Sequence, residues 1–270
     1  MISYLTVRTP AKQSFWISLK IQGRVIKALF LREMISHFGR HNIGFLWMFA
    51  EPMMFSVGIT ILWTVVGHEH GVMPPAGFAL TGYSAIVAWR HCINRTAITL
   101  IANKGLLFHR NVTVLDLALT RALFEFSAVS VSFVFLSIVF ISMNFISLPV
   151  HLLQVLIAWF LLGWFFISAG LIAVFMHQKS DLFRKLSHVF MYLSLPLTGA
   201  FAMVDWLPKK LQSAFLLSPM VNGVEMLREG YFGEIVQAHY SISYLITCNI
   251  VVTAFALLLL SQVKKFIESE

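Results

Sequence analysis

Only 12% of the 270 residues are charged, where a soluble domain carries about 25%. Hydrophobic residues make up 58% and the mean hydropathy is +0.79. A water-soluble core of this length has no room for so much apolar surface. Lipid therefore replaces water as the main solvent, and the chain reads as one integral membrane domain over residues 1–270. Cysteine is scarce too. Cys92 and Cys248 lie in or beside apolar runs with no metal-ligand spacing, which excludes a disulfide framework and a thiolate metal site. Lys and Arg outnumber Asp and Glu by 20 to 12. In a soluble protein that excess suggests nucleic acid. Here most of the basic residues flank apolar runs, so membrane topology and anionic lipid headgroups account for it, and nucleic acid is not an expected partner.

Several chemical signatures are also missing. No G-x-x-x-x-G-K-[ST] loop is present, so the chain does not cradle ATP phosphates in that way. There is no H-E-x-x-H and no G-x-S-x-G elbow. No catalytic residue, resident cofactor or metal site is expected. His68-Glu69-His70 offers ligands at i and i+2 without a third partner, which suits a solvated polar loop better than a metal. A membrane-embedded acyl or glycosyl transferase needs a carboxylate or histidine cluster near one interface, and none is evident. A proton-driven carrier needs several acids or histidines on one bundle face. Only Glu51 sits mid-span, either as a bond to a neighbouring helix or as a functional group.

What is present is a series of long apolar runs. Residues 44–66 are apolar apart from Glu51, which Pro52 follows. At 1.5 Å per residue the run crosses a hydrocarbon core of about 30 Å. Seven basic residues and one acid, Glu33, precede it, and no Lys or Arg follows until well past Pro75. The span therefore runs outward from the cytoplasm. The basic residues extend to Arg40 without a short apolar core and cleavage site, so no cleaved leader is expected. Further spans are expected over 76–102, 120–143, 151–176, 186–204 and 242–263. The second is the most polar, broken by Arg90, His91, Asn94 and Arg95. It is kept because an even number of crossings preserves the charge bias downstream. Its polar half then faces protein or a wet cavity. Arg121 and Glu125 at the foot of the third span form an i,i+4 pair able to neutralise itself. Pro196 and Gly199 interrupt the fifth.

Two segments beyond the spans carry a pattern of their own. Over 14–43, Phe15, Leu19, Ile26 and Phe30 share one helical face and Lys20, Arg24 and Lys27 the opposite one, the mark of an interfacial amphipathic helix. The outer segment 205–241 is longer than a turn needs. It contains an apolar stretch, 215–221, too short to cross, which suits a re-entrant or interfacial hairpin. In this layout 17 of the 20 Lys and Arg lie at inner positions, and only Lys209, Lys210 and Arg228 lie outside. The fold class is all-α: six transmembrane helices with both termini cytoplasmic.

Residues 28–52, ALFLREMISHFGRHNIGFLWMFAEP, resemble the start of the permease subunits of ABC-2 type polysaccharide exporters. The shared pattern is a basic–acidic pair (Arg32-Glu33), a small–aromatic–basic stretch, then G-x-L-W (Gly44 to Trp47) and Pro52. Residues 103–116, NKGLLFHRNVTVLD, resemble the capsular-polysaccharide-export branch, as do Arg121-Ala122-Leu123 and a basic residue at Arg95. At 218–228, SPMVNGVEMLR, the branch has Asn-Pro followed by E-x-x-R. Glu225 and Arg228 match, while Ser218 in place of Asn removes a capping amide from that turn. The resemblance runs from about residue 25 to the C-terminus.

It implies two copies of a six-span subunit side by side in a bacterial inner membrane. Two separate ATPase subunits, carrying ATP and Mg, would power them. A periplasmic copolymerase and an outer-membrane export protein would complete the route of a lipid-linked acidic capsule polysaccharide. The same architecture also exports O-antigen, teichoic acid or small hydrophobic substrates. A charged polymer needs a wet canal. Arg90 and Arg95 are the candidate canal cations, with Tyr83 and Trp89 as sugar-stacking surfaces. Leu106, Leu107, Phe108, His109, Arg110 and Val112 form the candidate contact with the ATPase. Pro219, Glu225 and Arg228 form a candidate outer gate, the two charges lying on one helical face.

Overall fold

In the computed structural model the described residues are 15–38, 50, 53–54, 56–62, 65, 73–108 and 112–267. Helix dominates, and no strand occurs among the described residues. The helices are α1 (Phe15–Phe38), α2 (Pro75–Ala97), α3 (Val114–Ser142), α4 (Leu152–Lys179), α5 (Asp181–Ser194), α6 (Lys209–Phe215), α7 (Pro219–Phe232) and α8 (Ile242–Ile267). Between α1 and α2, residues 50, 53–54, 56–62 and 65 are helical, and Met53 and Ile59 pack against neighbours of α2. Glu51, Pro52 and His68 to His70 lie outside the described residues. Among the described residues, three helical segments are long and apolar enough to cross a membrane: Val114–Ser142, Leu152–Lys179 and Ile242–Val263.

The centre of the bundle is α2. It begins at Pro75, where a proline costs no helical hydrogen bond. Residues 76–88 are all buried, packed between α3 and α4. A one-turn piece, Thr99–Ala102, and a 3₁₀ turn, Lys104–Phe108, continue it. This matches the expected 76–102 segment closely. It is too polar to stand out by hydropathy because it faces protein, not lipid. At Gly170 of α4 an added Cβ would lie 2.4 Å from the Cys92 carbonyl oxygen of α2. Only glycine lets these backbones come so close. Gly170→Ala is expected to cost roughly 1–3 kcal/mol through overpacking, seen as a lowered unfolding midpoint of the purified chain in detergent.

Several boundaries differ from expectation, each for a local reason. The third span was expected from residue 120, but α3 starts at Val114. Thr113 and Asp116 form a capping box there: the Asp116 N–H donates to Thr113 Oγ1 at 3.2 Å and the Thr113 N–H to Asp116 Oδ2 at 2.9 Å. The connection expected over 177–185 shrinks to Ser180, whose side chain accepts from the Phe183 N–H and starts α5 at once. The fifth span, expected over 186–204, is instead α5 plus a 3₁₀ turn, Leu195–Thr198, ended by Gly199 at φ +73°. The 14-residue α5 rises only about 21 Å. In α1, Lys20, Arg24 and Lys27 are exposed as expected, but so are Trp16, Ile17, Leu19, Leu31 and Ile35. Among the described residues, Val25, Leu29, Phe30 and Met34 of α1 pack on the bundle, and Leu19 is exposed.

A polar seam sets the register of α4 against α8. Trp164 Nε1 donates to Thr253 Oγ1 at 2.8 Å, Ser168 Oγ lies 2.8 Å from the same hydroxyl, and Asn249 Nδ2 donates to the Leu161 carbonyl at 3.1 Å. Apolar helices in lipid gain little by hiding from it, so such bonds select the contact face. The opposite face of α8, with Ile250, Val251, Phe255 and Leu258, is exposed.

Segment 205–241 holds two helices, α6 and α7, and of its apolar 215–221 stretch only Met220 and Val221 are buried. No residue of α6 is buried, whereas residues 220–228 of α7 all are. The helix that goes inside is the one with Asn222, Glu225 and Arg228, because each finds partners there.

Candidate functional site

Two charged centres occupy opposite ends of α2. At the α7 end, Arg228 is completely buried. Its guanidinium donates to the carbonyls of Gly199 at 2.8 Å, Ala200 at 3.0 Å and Ala202 at 3.5 Å, and Nε donates to Thr81 Oγ1 at 3.4 Å. The Phe78 ring lies 3.9 Å below it. Glu225, also fully buried, accepts from the Val204 N–H at 3.2 Å and the His239 N–H at 3.0 Å. The two charges do not bond to each other. One turn apart on α7, each grips backbone. Arg228 holds the segment after α5, and Glu225 joins that segment to the one before α8. Ser218 Oγ donates to the Leu197 carbonyl at 2.7 Å instead of capping α7. Asn222 Nδ2 takes over at the turn, donating to Leu216 and Ser218 carbonyls at 2.7 and 3.0 Å. Pro219 is the first residue of α7.

Beside this clamp Gln154 Nε2 donates to Glu229 Oε2 at 2.6 Å and to the Tyr240 hydroxyl at 3.1 Å, and that hydroxyl donates to the same carboxylate. Burial, reinforced by Glu229, pushes the Tyr240 phenol up to about 12. It stays a donor at any physiological pH. No sequence pattern pointed to this trio.

At the α1 end the centre is Glu125 of α3, fully buried. Arg121 Nη2 lies 2.6 Å from its Oε1, Arg95 Nη1 3.0 Å from its Oε2, and His91 Nδ1 3.7 Å from Oε2. The Arg121–Glu125 pair is therefore present as expected. Arg121 also reaches α1 through Nη1, 2.8 Å from Glu33 Oε2. The neighbouring Arg32 donates from Nη2 to Asn103 Oδ1 at 2.9 Å. Glu33 and Glu125 face Arg95 and Arg121 along this chain, and Arg32 adds a further cation at its end.

The four canal candidates separate in the structure. Tyr83 is 4% exposed, its ring meeting Phe201 edge-on. Trp89 stacks on Phe165 with planes 7° apart, meets Phe166 edge-on and donates from Nε1 to Ser194 Oγ at 3.0 Å. Within the subunit the Tyr83 ring is buried and the half-buried Trp89 ring packs on Phe165 and Phe166. Arg95 is committed to Glu125. Arg90 is half-buried and, among the described residues, has no hydrogen bond or ion pair. With Trp89, Ile93 and Asn94 it forms the half-buried strip of α2. Asn94, one turn from Arg90, was read only as an interruption.

Of the candidate ATPase contact, Leu106, Leu107 and Val112 pack against the cluster of Leu29, Leu117 and Leu260. They anchor the connection to the bundle and do not project from it. The Phe108 side chain, His109 and Arg110 lie outside the described residues.

Residues 24–232 match the ABC-2 type transporter family. This chain belongs to that family. It is 37% identical over 260 residues to the capsule polysaccharide export inner-membrane protein CtrC of Neisseria meningitidis serogroup B, covering 96% of this chain and 98% of that protein. It is likewise 37% identical over 258 residues to the capsule polysaccharide export inner-membrane protein BexB of Haemophilus influenzae, covering 95% and 97%. The polysialic acid transport protein KpsM of Escherichia coli is 29% identical over 232 residues, covering 82% of this chain and 88% of that protein.

Proposed function

We propose that this chain is the permease subunit of an ATP-driven exporter of lipid-linked acidic capsular polysaccharide across the bacterial inner membrane. The observation that carries the reading is similarity along nearly the whole length to capsule polysaccharide export inner-membrane proteins. With no phosphate loop of its own, the subunit draws on two separate ABC ATPases that hold ATP and Mg. Two copies stand side by side as a homodimer, each one domain with six spans. The α1 end and both termini face the cytoplasm, with α1 at the membrane interface, and the α6–α7 hairpin re-enters from the periplasmic side. A periplasmic copolymerase and an outer-membrane export protein receive the polymer.

In this reading Arg90 is the cation that meets the polymer at the cytoplasmic mouth. A cation already neutralised by a buried acid attracts a polyanion weakly, whereas an unpaired one raises its local concentration. Arg90→Ala should lower surface polysaccharide roughly tenfold or more, with the amount of subunit in the membrane unchanged. Normal surface polysaccharide in that variant would remove Arg90 from the pathway. Force arrives through the 104–112 connection, whose Phe108 to Arg110 reach the ATPase while Leu106, Leu107 and Val112 root it in the bundle. Co-purification from the native membrane tests the whole reading. An ABC ATPase and a lipid-linked acidic glycan should travel with the chain. Recovery of O-antigen or teichoic acid lipid instead would overturn the substrate.

A further inference from the structure

Arg32, Glu33, Asn103, Arg121 and Arg95 sit in short motifs scattered along the sequence, and nothing in the chain order relates them. In space they form one line of contacts. Arg32 donates to Asn103, at the root of the connection, at 2.9 Å. Glu33, the next residue, receives Arg121 at 2.8 Å. Arg121 passes on to Glu125 at 2.6 Å, and Glu125 to Arg95 of α2 at 3.0 Å. Side chains of α1, of the connection, of α3 and of α2 are thus joined in series. Arg95 lies one turn from His91, next to Asn94 and five residues from Arg90, which has no ion pair among the described residues. The Arg32–Glu33 dipeptide acts as a fork, one prong on the connection and the other on the charge chain.

We propose that this chain of charges is the transmission between the connection and the canal face of α2, with Arg121 and Glu33 as positioning residues. It rests on the reading above, in which force enters through the 104–112 connection. Three features support it. From Glu33 to Arg95 two arginines face two acids, so that stretch carries little net charge for solvent or polymer to compete for, and Arg32 adds one cation at its outer end. Glu125 is fully buried, where a low dielectric strengthens both of its ionic contacts, and the one to Arg95 is also a hydrogen bond. Arg121 uses separate nitrogens for its two acids, so a displacement of α1 is passed on to Glu125 and not absorbed in a single flexible contact. Hydrophobic packing between α1 and α3, at Phe30 and Phe124 for example, keeps the helices together but lets them slide. The ionic line fixes how far.

The test uses the complete exporter, purified with the ATPase that accompanies it and placed in proteoliposomes. It reads polymer moved per ATP hydrolysed. Arg121→Lys is the informative variant. It keeps the positive charge, but a compact ammonium lacks the rigid two-pronged reach to Glu33 and Glu125. Polymer per ATP should fall about tenfold, with the thermal midpoint and the yield of assembled complex held. Glu33→Gln should produce a similar loss. The double variant should be no worse than Arg121→Lys alone, because two cuts in one line break it only once. Normal coupling in Arg121→Lys would overturn the proposal, as would losses that multiply in the double variant. So would a fall in transport matched by a fall in assembled complex. If the unsubstituted complex moves no polymer with ATP, the exporter reading fails and this linkage with it. That outcome is distinct because it needs no substitution.

Discussion

Arg228→Met should leave little folded subunit. The guanidinium is fully buried and donates to three backbone carbonyls and a threonine hydroxyl. Methionine fills a similar volume but supplies no donor. The carbonyls of Gly199, Ala200 and Ala202 would lose that donor inside the bundle, and Glu225, one turn away, would lose a nearby opposite charge. Removing one side of a buried charged contact costs about 3–5 kcal/mol, a large part of the 5–15 kcal/mol that typically holds a domain together. The expected result is a steep fall in membrane-inserted subunit and, for protein that survives, a much lower unfolding midpoint in detergent. Arg228→Lys should recover only part of this, since an ammonium cannot reach carbonyls on successive residues while lying over Phe78. An Arg228→Met subunit as stable as the parent would show that the α7 clamp is ornamental.

Glu125→Ala should be nearly as damaging, for the opposite charge. Arg95 and Arg121 would be left facing each other's charge, with Glu33 still holding Arg121. Both arginines are partly accessible, at 31% and 17% exposure, and water relieves some of the cost. A loss on the order of 3 kcal/mol follows, measured by unfolding of the purified chain. A paired variant separates stability from function. Arg95→Met with Glu125→Met replaces an ion pair by apolar volume, an exchange that is often neutral or stabilising. It should restore much of the midpoint. It should not restore export, since α2 would no longer be tied to α3 by charge. Full export in the paired variant would reduce the contact to packing.

Two helices that hydropathy does not mark as spans, α2 and α7, turn out to be largely buried. α2 carries Arg90, His91, Asn94 and Arg95, and α7 carries Asn222, Glu225, Arg228 and Glu229. Apolar runs identify surfaces that meet lipid, so α3, α4 and α8 were plain. A helix wrapped by other helices is free to be polar wherever a partner waits, and the partner is on another segment. The i,i+4 pair Arg121–Glu125 was legible because both ends are on one helix. The bond from Glu125 to Arg95 spans 30 residues, that from Arg121 to Glu33 spans 88, and neither leaves a trace in local spacing. The start of α3 was missed for a smaller reason. Thr113 and Asp116 have the spacing of a capping box, but they stand inside a segment whose charges suggested a loop.

Composition alone settled that lipid is the main solvent, because 12% charged residues cannot clothe 270 residues in water. The order of short motifs was enough to place the chain among ABC-2 permeases, and their wording carries no phosphate loop. Which charges are spent and which remain available was decided only in three dimensions. Arg90 and Arg95 are alike in sequence, both cations in the polar half of one helix. Ionic bonding depends on a few ångströms between atoms, and only the packing of α3 against α2 brings Glu125 to Arg95, while among the described residues Arg90 meets no acid.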